Sequence, residues 1–132
     1  MNKFSYQRKI HFADTDGAGV VYFSNLLSIC HESYEEYLSY LTINLQEFFT
    51  NKLIAIPIIH AQIDFFKPLF CGDIIIITLE GKSINNKVFE ISYEIYKDNV
   101  LIAKALTRHI CINPHTRKTQ EIPLIIKKEL EI

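Results

Sequence analysis

One stretch of this chain decides what it can fold into. Across residues 24–41 the apolar side chains Leu26, Leu27, Cys30, Tyr34, Tyr37, Leu38 and Leu41 recur at three- and four-residue steps. That is the period of one helical face. Glu32, Glu35 and Glu36 fall mostly off it and read as exposed helix charges. No other segment carries such a stripe over this length. Residues 42–52 hold only a weak helical pattern, and elsewhere the period is two. Residues 5–12 alternate as a strand. From residue 53 the alternation returns, with Ile59, Ala61, Ile63 and Phe65 on one face and His60, Gln62 and Asp64 on the other. Lys67-Pro68 ends that run, because proline cannot donate to a ladder. Residues 73–82, 88–96 and 100–112 are three further β runs. Asn85-Asn86 and Asp98-Asn99 lie between them as hairpin turns, residue types that tolerate left-handed backbone. Residues 122–132 read as a short helix or an extended tail.

The order is strand, long helix, then a meander of four strands. An antiparallel sheet with one apolar face needs a cover on that face, and the helix at 24–41 is the element long enough to supply it. The reading is therefore α+β, a curved antiparallel sheet wrapped around one central helix, in a single domain over residues 1–132. Such a layer leaves sheet edges unpaired, which predicts that copies associate edge to edge. A formal charge of −1 with both signs interspersed gives no basic patch for nucleic acid. No apolar run is long enough to cross a bilayer, and Met1-Asn2-Lys3-Phe4 lacks the apolar core of a signal peptide. The three cysteines, Cys30, Cys71 and Cys111, are odd in number and far apart, which disfavours a disulfide framework or a zinc site. They read as reduced thiols of a cytoplasmic protein.

The chemistry concentrates just before the helix, in His11-Phe12-Ala13-Asp14-Thr15-Asp16-Gly17-Ala18-Gly19-Val20-Val21-Tyr22-Phe23-Ser24-Asn25. Two acids stand two residues apart and glycines follow, permitting close approaches that a side chain would block. Ser24 and Asn25 are good N-cap residues, so a helix should open there with unpaired N–H groups facing the loop. From residue types alone three roles are open: a metal-binding pair, a plain turn, or a carboxylate beside a helix N-terminus fit for acyl chemistry.

The whole string D-T-D-G-A-G-V-V-Y-F-S-N resembles the active-site segment of hotdog-fold acyl-CoA thioesterases of the 4-hydroxybenzoyl-CoA thioesterase type. Phe4-Ser5-Tyr6-Gln7-Arg8, Cys30-His31-Glu32-Ser33-Tyr34-Glu35 and His60-Ala61-Gln62-Ile63-Asp64-Phe65-Phe66, followed by Cys71-Gly72-Asp73, extend the likeness from Phe4 to about Asn113. The helix and His60 strings resemble the cyanobacterial branch that hydrolyses a dihydroxynaphthoyl-CoA ester in phylloquinone synthesis. The resemblance implies a thioester hydrolase without metal or cofactor, CoA being part of the substrate. It implies a dimer, paired again into a tetramer, with active sites at the dimer seam. Asp16 is the implied catalytic carboxylate, as nucleophile or as general base on water. The backbone N–H of Phe23 is the implied oxyanion donor. Asp14 reads rather as a hydrogen-bonding residue that orders the loop.

Gly19, Tyr22 and His31 are the candidate substrate contacts. Tyr22 either lines the acyl pocket or packs beside it. His31 is either a hydrogen-bonded core residue or a partner for a ring hydroxyl, since it stands roughly 10 Å along the helix axis from the helix start. His60 and Asp64 share a strand face about 13 Å apart, too far to hold one metal. Lys82 and Lys87 flank the Asn85-Asn86 turn and are the candidates for the CoA phosphates, or else solvated surface lysines. A hydratase would pair an acid with a histidine around the acyl group, and Asp16 has no such partner in its own string. A non-catalytic acyl-CoA binder would have no need of Asp16.

Overall fold

The computed structural model describes residues 3–132. Five strands form one antiparallel sheet: β1 (Phe4–Lys9), β2 (Ile58–Phe65), β3 (Ile74–Ser83), β4 (Val88–Lys97) and β5 (Val100–Ile110), in the order β1-β3-β4-β5-β2. The long helix α1 (Phe23–Tyr40) lies across its inner face. Two short helices, α2 (Leu45–Thr50) and α3 (Leu124–Glu129), flank it. The α+β hotdog arrangement expected from the sequence is present.

The sheet differs from the expected meander at one point. β3, β4 and β5 follow one another as hairpins, but β2 pairs with β5, not β3. The break at Pro68 is what permits this. Phe66 and Lys67 both donate to the Ile102 carbonyl, and the chain then crosses to the far edge, where Ile10 and Asp73 pair and β3 begins beside β1. As a result β2 and β1 are the two edges.

Period and packing agree along α1. Leu26, Ile29, Cys30, Ser33, Tyr34, Tyr37 and Leu38 are buried against the sheet. Leu27 and Leu41, expected in the stripe, are only half-buried at its flanks. The inner sheet face offers Ile75, Ile77 and Leu79 from β3 and Phe89, Ile91, Tyr93 and Ile95 from β4, all buried. On β5 the inward residues Ala103 and Ala105 are small and leave room for the helix. Side-chain alternation predicts these faces correctly because one side of each of these strands is buried.

The two hairpin turns work differently. Asp98 and Asn99 both take left-handed backbone, at φ 50° and 63°. Asn85 and Asn86 do not; there the Asn85 side chain accepts the N–H groups of Lys87 and Val88 at 2.8 and 3.0 Å. An Asx turn replaces the left-handed turn the residue types suggested. In α2, Asn44 caps by accepting the Glu47 N–H at 2.9 Å, which fixes an element whose period was weak.

A histidine lies in this core. His109 is 1% exposed. Its ring stacks on Phe89 at 4.7 Å and meets Tyr34 at 4.9 Å, while Nε2 bonds the Thr107 hydroxyl at 2.8 Å. Burial pushes the imidazole down to about 4, and neighbouring His31 adds to that. The unfolded chain binds a proton here below an ordinary value of 6.5, whereas the folded protein stays neutral to about 4. Stability therefore falls as pH drops through that window, by about 3 kcal/mol in full. Asp14 and Asp73, held below the usual carboxylate value, act mainly at lower pH. Urea titrations at fixed protein concentration should show the loss between pH 6.5 and 4, and His109→Phe should flatten it. A wild-type midpoint constant over this range would contradict a buried neutral His109.

Candidate active site

The loop before α1 is built on Arg8. Its guanidinium grips Asp14 with both terminal nitrogens, at 2.7 and 3.3 Å, and reaches Glu32 of α1 through Nε at 2.8 Å. Tyr6 donates to the same Glu32 oxygen at 2.8 Å. The Tyr6–Glu32–Arg8–Asp14 chain therefore ties β1, the loop and the helix together. Glu32, expected as an exposed charge, is instead the helix's anchor. Spacing along α1 could not reveal this, because the partners come from β1. Burial pushes the Asp14 carboxyl up, but Arg8 and the His11 N–H outweigh it and hold the group below its ordinary range. Asp14 stays ionised, with both oxygens occupied.

Asp16 is placed otherwise. It is half-buried and opens a tight turn in which Gly19 N–H bonds the Asp16 carbonyl at 2.9 Å. Oδ1 accepts the Ala18 N–H at 2.8 Å. Among the described residues Oδ2 has no partner. Gly19 sits at φ 81°, where a side chain would be strained. The turn closes a short ladder in which Thr15 faces Val21, and Tyr22 N–H then bonds the Asp14 carbonyl at 3.1 Å. The helix starts at the next residue. The same ladder that carries Asp16 thus ties the start of α1 to the acid loop, at Asp14.

That N-terminus corrects the expected cap. The N-cap is Tyr22, which makes no side-chain capping bond, and Ser24 and Asn25 lie within the first turn. The Asn25 side chain faces backward and donates to the Asp14 carbonyl at 3.0 Å, locking helix to loop. With no cap, the N–H groups of Phe23 and Ser24 have no acceptor among the described residues, which is the property an oxyanion site needs. Tyr22 and Phe23 pack ring to ring at 4.7 Å and are both exposed.

Next to this turn lies a cleft of about 250 Å³, lined by Val20, Val21, Leu26, Phe65, Phe66, Lys67, Pro68 and Leu69. Val21 N–H bonds the Leu69 carbonyl at 2.9 Å and Val20 bridges Phe70, so the wall is tied to the acid loop by backbone hydrogen bonds. Sequence reasoning did not name the Phe65-to-Leu69 wall. Its signal was Pro68, read only as a strand breaker.

His31 lies on the flank of α1, half-buried. Nδ1 is 3.0 Å from Glu35 Oε2, and the ring touches Tyr34 and Phe49. It is not in the core stripe. Lys82 and Lys87 are at the opposite end of the sheet from Asp16, since β3 runs about 30 Å from Ile74 beside the acid loop to Ser83. Lys82 Nζ is 3.7 Å from Glu90, and Lys87 Nζ bonds Thr119 at 3.4 Å. Neither reaches Asp16 within one protomer. His60 Nε2 bonds Gln62 at 3.1 Å on the exposed edge strand. Cys30 and Cys111 are buried free thiols, and Cys71 is exposed. Among the described residues no group of three or more His, Cys, Asp or Glu is placed to hold a metal.

Fold and loop together define the hotdog thioesterase class. The chain belongs to the thioesterase-like superfamily, whose family model matches residues 10–130. It is 51% identical over 128 residues to the 1,4-dihydroxy-2-naphthoyl-CoA hydrolase of Nostoc punctiforme, spanning 97% of this chain and 86% of that one. With the enzyme of the same name from Crocosphaera subtropica it shares 52% over 129 residues, 96% of this chain and 94% of the other. The crystal structure of a 1,4-dihydroxy-2-naphthoyl-CoA thioesterase from Synechocystis superposes with a TM-score of 0.93 at 39% identity, covering 98% of this chain and 96% of that one.

The Arg8 anchor is testable. Arg8→Met leaves the Asp14 and Glu32 carboxylates without their cation, and half-buried charges stripped of a partner cost about 2 kcal/mol. Thermal melts should show that loss, and thioesterase turnover should fall with it as the loop loosens. Unchanged melting with unchanged turnover would remove Arg8 from this role.

Proposed function

We propose that this protein hydrolyses 1,4-dihydroxy-2-naphthoyl-CoA to 1,4-dihydroxy-2-naphthoate and CoA, as a step of phylloquinone synthesis in the cytoplasm. The observation that carries the substrate is the near-full-length likeness, at 51% identity, to a hydrolase of that name. What supports the chemistry is the contrast between the two acids. Asp14 is saturated with hydrogen bonds, while Asp16 keeps one carboxylate oxygen unpartnered in the loop that leads into the uncapped start of α1.

In this reading the thioester carbonyl oxygen accepts the Phe23 N–H, where the helix dipole favours developing negative charge. Asp16 either attacks the acyl carbon, giving a mixed anhydride that water opens, or takes a proton from the attacking water. In both routes the C–S bond breaks and CoA leaves as its thiol. The naphthoyl group lies over the cleft walled by Val20, Val21 and Phe65, with Gly19 and Tyr22 at its entrance. No cofactor is called for.

The site is completed by a second copy. β2 is an edge whose residues are nearly all exposed, including Ile58, Ile59 and Phe65. A two-fold axis that pairs β2 with itself antiparallel sets one copy's Ile58 end against the other's Phe65 end. Each Asp16 loop then meets the end of the partner sheet that carries Lys82 and Lys87, which places those lysines within reach of the CoA phosphates. A dimer of dimers is the proposed assembly.

Asp16→Asn should cut kcat at least tenfold, about 1.4 kcal/mol in barrier, and still fold, because the amide oxygen can keep the Ala18 N–H. In a panel of CoA thioesters read by free thiol release, the dihydroxynaphthoyl ester should be turned over best and palmitoyl-CoA poorly. Equal rates on palmitoyl- or benzoyl-CoA would defeat the substrate assignment but leave the thioesterase standing. Light scattering at micromolar concentration should return a dimer or tetramer mass; a monomer mass would sink the shared site.

A further inference from the structure

The pair formed by His31 and Glu35 is used by nothing described so far. They stand four residues apart on α1, with Nδ1 3.0 Å from the carboxylate, and their side chains are 37% and 42% exposed. On that exposure alone the pair is a solvated contact of little energetic weight. Three further observations give it a purpose.

The first is which flank carries it. Glu32, one residue and about 100° further round the helix, reaches to Arg8 and Tyr6 of the edge strand β1. His31 touches Phe49, in the segment leading to β2, and Tyr34, which in turn packs on His109 of β5, β2's neighbour. The pair therefore lies on the side of α1 that meets α2, next to the aromatic contacts that lead to β5. The second is confinement. The imidazole is set edge-on to Tyr34 at 5.7 Å and against Phe49 at 6.0 Å, so it is not a free surface rotor. The third is polarity. When the imidazole is neutral, a carboxylate at Nδ1 keeps the proton on Nδ1 and leaves Nε2 as an acceptor. Nε2 has no partner among the described residues.

Reach is consistent with a ligand. His31 is eight residues past Phe23, roughly 12 Å along the axis, and helical side chains lean back toward the N-terminus. A ring hydroxyl lies roughly 6 Å from the carbonyl oxygen of a bicyclic acyl group, and a hydrogen bond adds about 3 Å.

We propose that Glu35 is a positioning residue that fixes His31 as the Nδ1–H tautomer, so that Nε2 accepts a hydrogen bond from a hydroxyl on the acyl ring. This rests on the naphthoyl-CoA reading above and adds to it how hydroxylated rings are chosen. No proton moves; the dyad sorts substrates by what they donate. A ring without the hydroxyl leaves Nε2 desolvated and unpaired, which is the source of discrimination.

The test compares dihydroxynaphthoyl-CoA with unsubstituted naphthoyl-CoA in wild type, Glu35→Leu and Glu35→Gln, alongside nitrogen-15 spectra of His31 assigned against His31→Leu. Wild-type His31 should be the Nδ1–H tautomer, and Glu35→Leu should lose it. The wild-type ratio of kcat/KM between the two esters should fall about tenfold in Glu35→Leu and be largely kept in Glu35→Gln, whose amide oxygen still accepts from Nδ1. An Nε2–H tautomer in wild type, an unchanged ratio in Glu35→Leu, or an equal loss on both esters overturns the proposal. A wild type that hydrolyses neither ester but does cleave another acyl-CoA overturns the substrate reading instead, and the spectra then report on the dyad by itself.

Discussion

The Arg8 fork is the contact on which the site depends. Three elements meet at one guanidinium: the strand that carries it, the loop acid Asp14 six residues on, and the helix acid Glu32 24 residues on. Arginine suits this junction where lysine would not, because its planar fork binds two carboxylates in fixed directions. The ion pairs are only 11–15% exposed at Arg8 and Asp14, so they act in a medium where a missing partner is costly. Their effect is positional. Once Asp14 is held, its carbonyl receives both the Tyr22 N–H and the Asn25 side chain, and the start of α1 is set relative to the acid loop.

The rest of the fold supplies what that junction needs. β1 is an edge strand kept in register by β3, so Arg8 has a firm base. The other edge, β2, is left bare beside the cleft. One edge is thus occupied in building the site within the protomer, and the other is free to be covered by a second copy. The crossing of the chain at Phe66 to Asp73 separates these roles, since it sends β2 to the β5 side and starts β3 beside β1.

Much of this was legible in the sequence, for reasons that can be stated. The helix and the four long strands showed through because each buries one face, which imposes a period of 3.6 or 2. The acid loop showed through because glycine and aspartate at that spacing restrict what a turn can be. Strand order did not, because pairing of β2 with β5 depends on a loop whose only mark is one proline. Glu32 was misread because helical spacing reports which side of a helix a residue takes, not what waits on that side. Ser24 and Asn25 were read as caps from propensity. The structure places the cap two residues before Ser24, at Tyr22, whose side chain makes no capping bond, and uses Asn25 to hold the loop instead.

That misplaced cap bears on the two aspartates. A serine or asparagine cap would have filled one of the N–H groups that α1 presents to the loop, stabilising the helix by about 1 kcal/mol. Tyr22 forgoes that stabilisation and leaves the groups bare. The two acids divide along the same line. Asp14 takes every donor nearby and is held ionised, which suits a strut and disqualifies it as a reagent. Asp16 spends one oxygen on keeping its own turn and leaves the other open. A loop optimised only to fold would have saturated both acids and capped the helix; this one leaves unpaired one Asp16 carboxylate oxygen and the first N–H groups of α1. Both sets of unpaired atoms belong to the segment that the Arg8 junction fixes between β1 and α1.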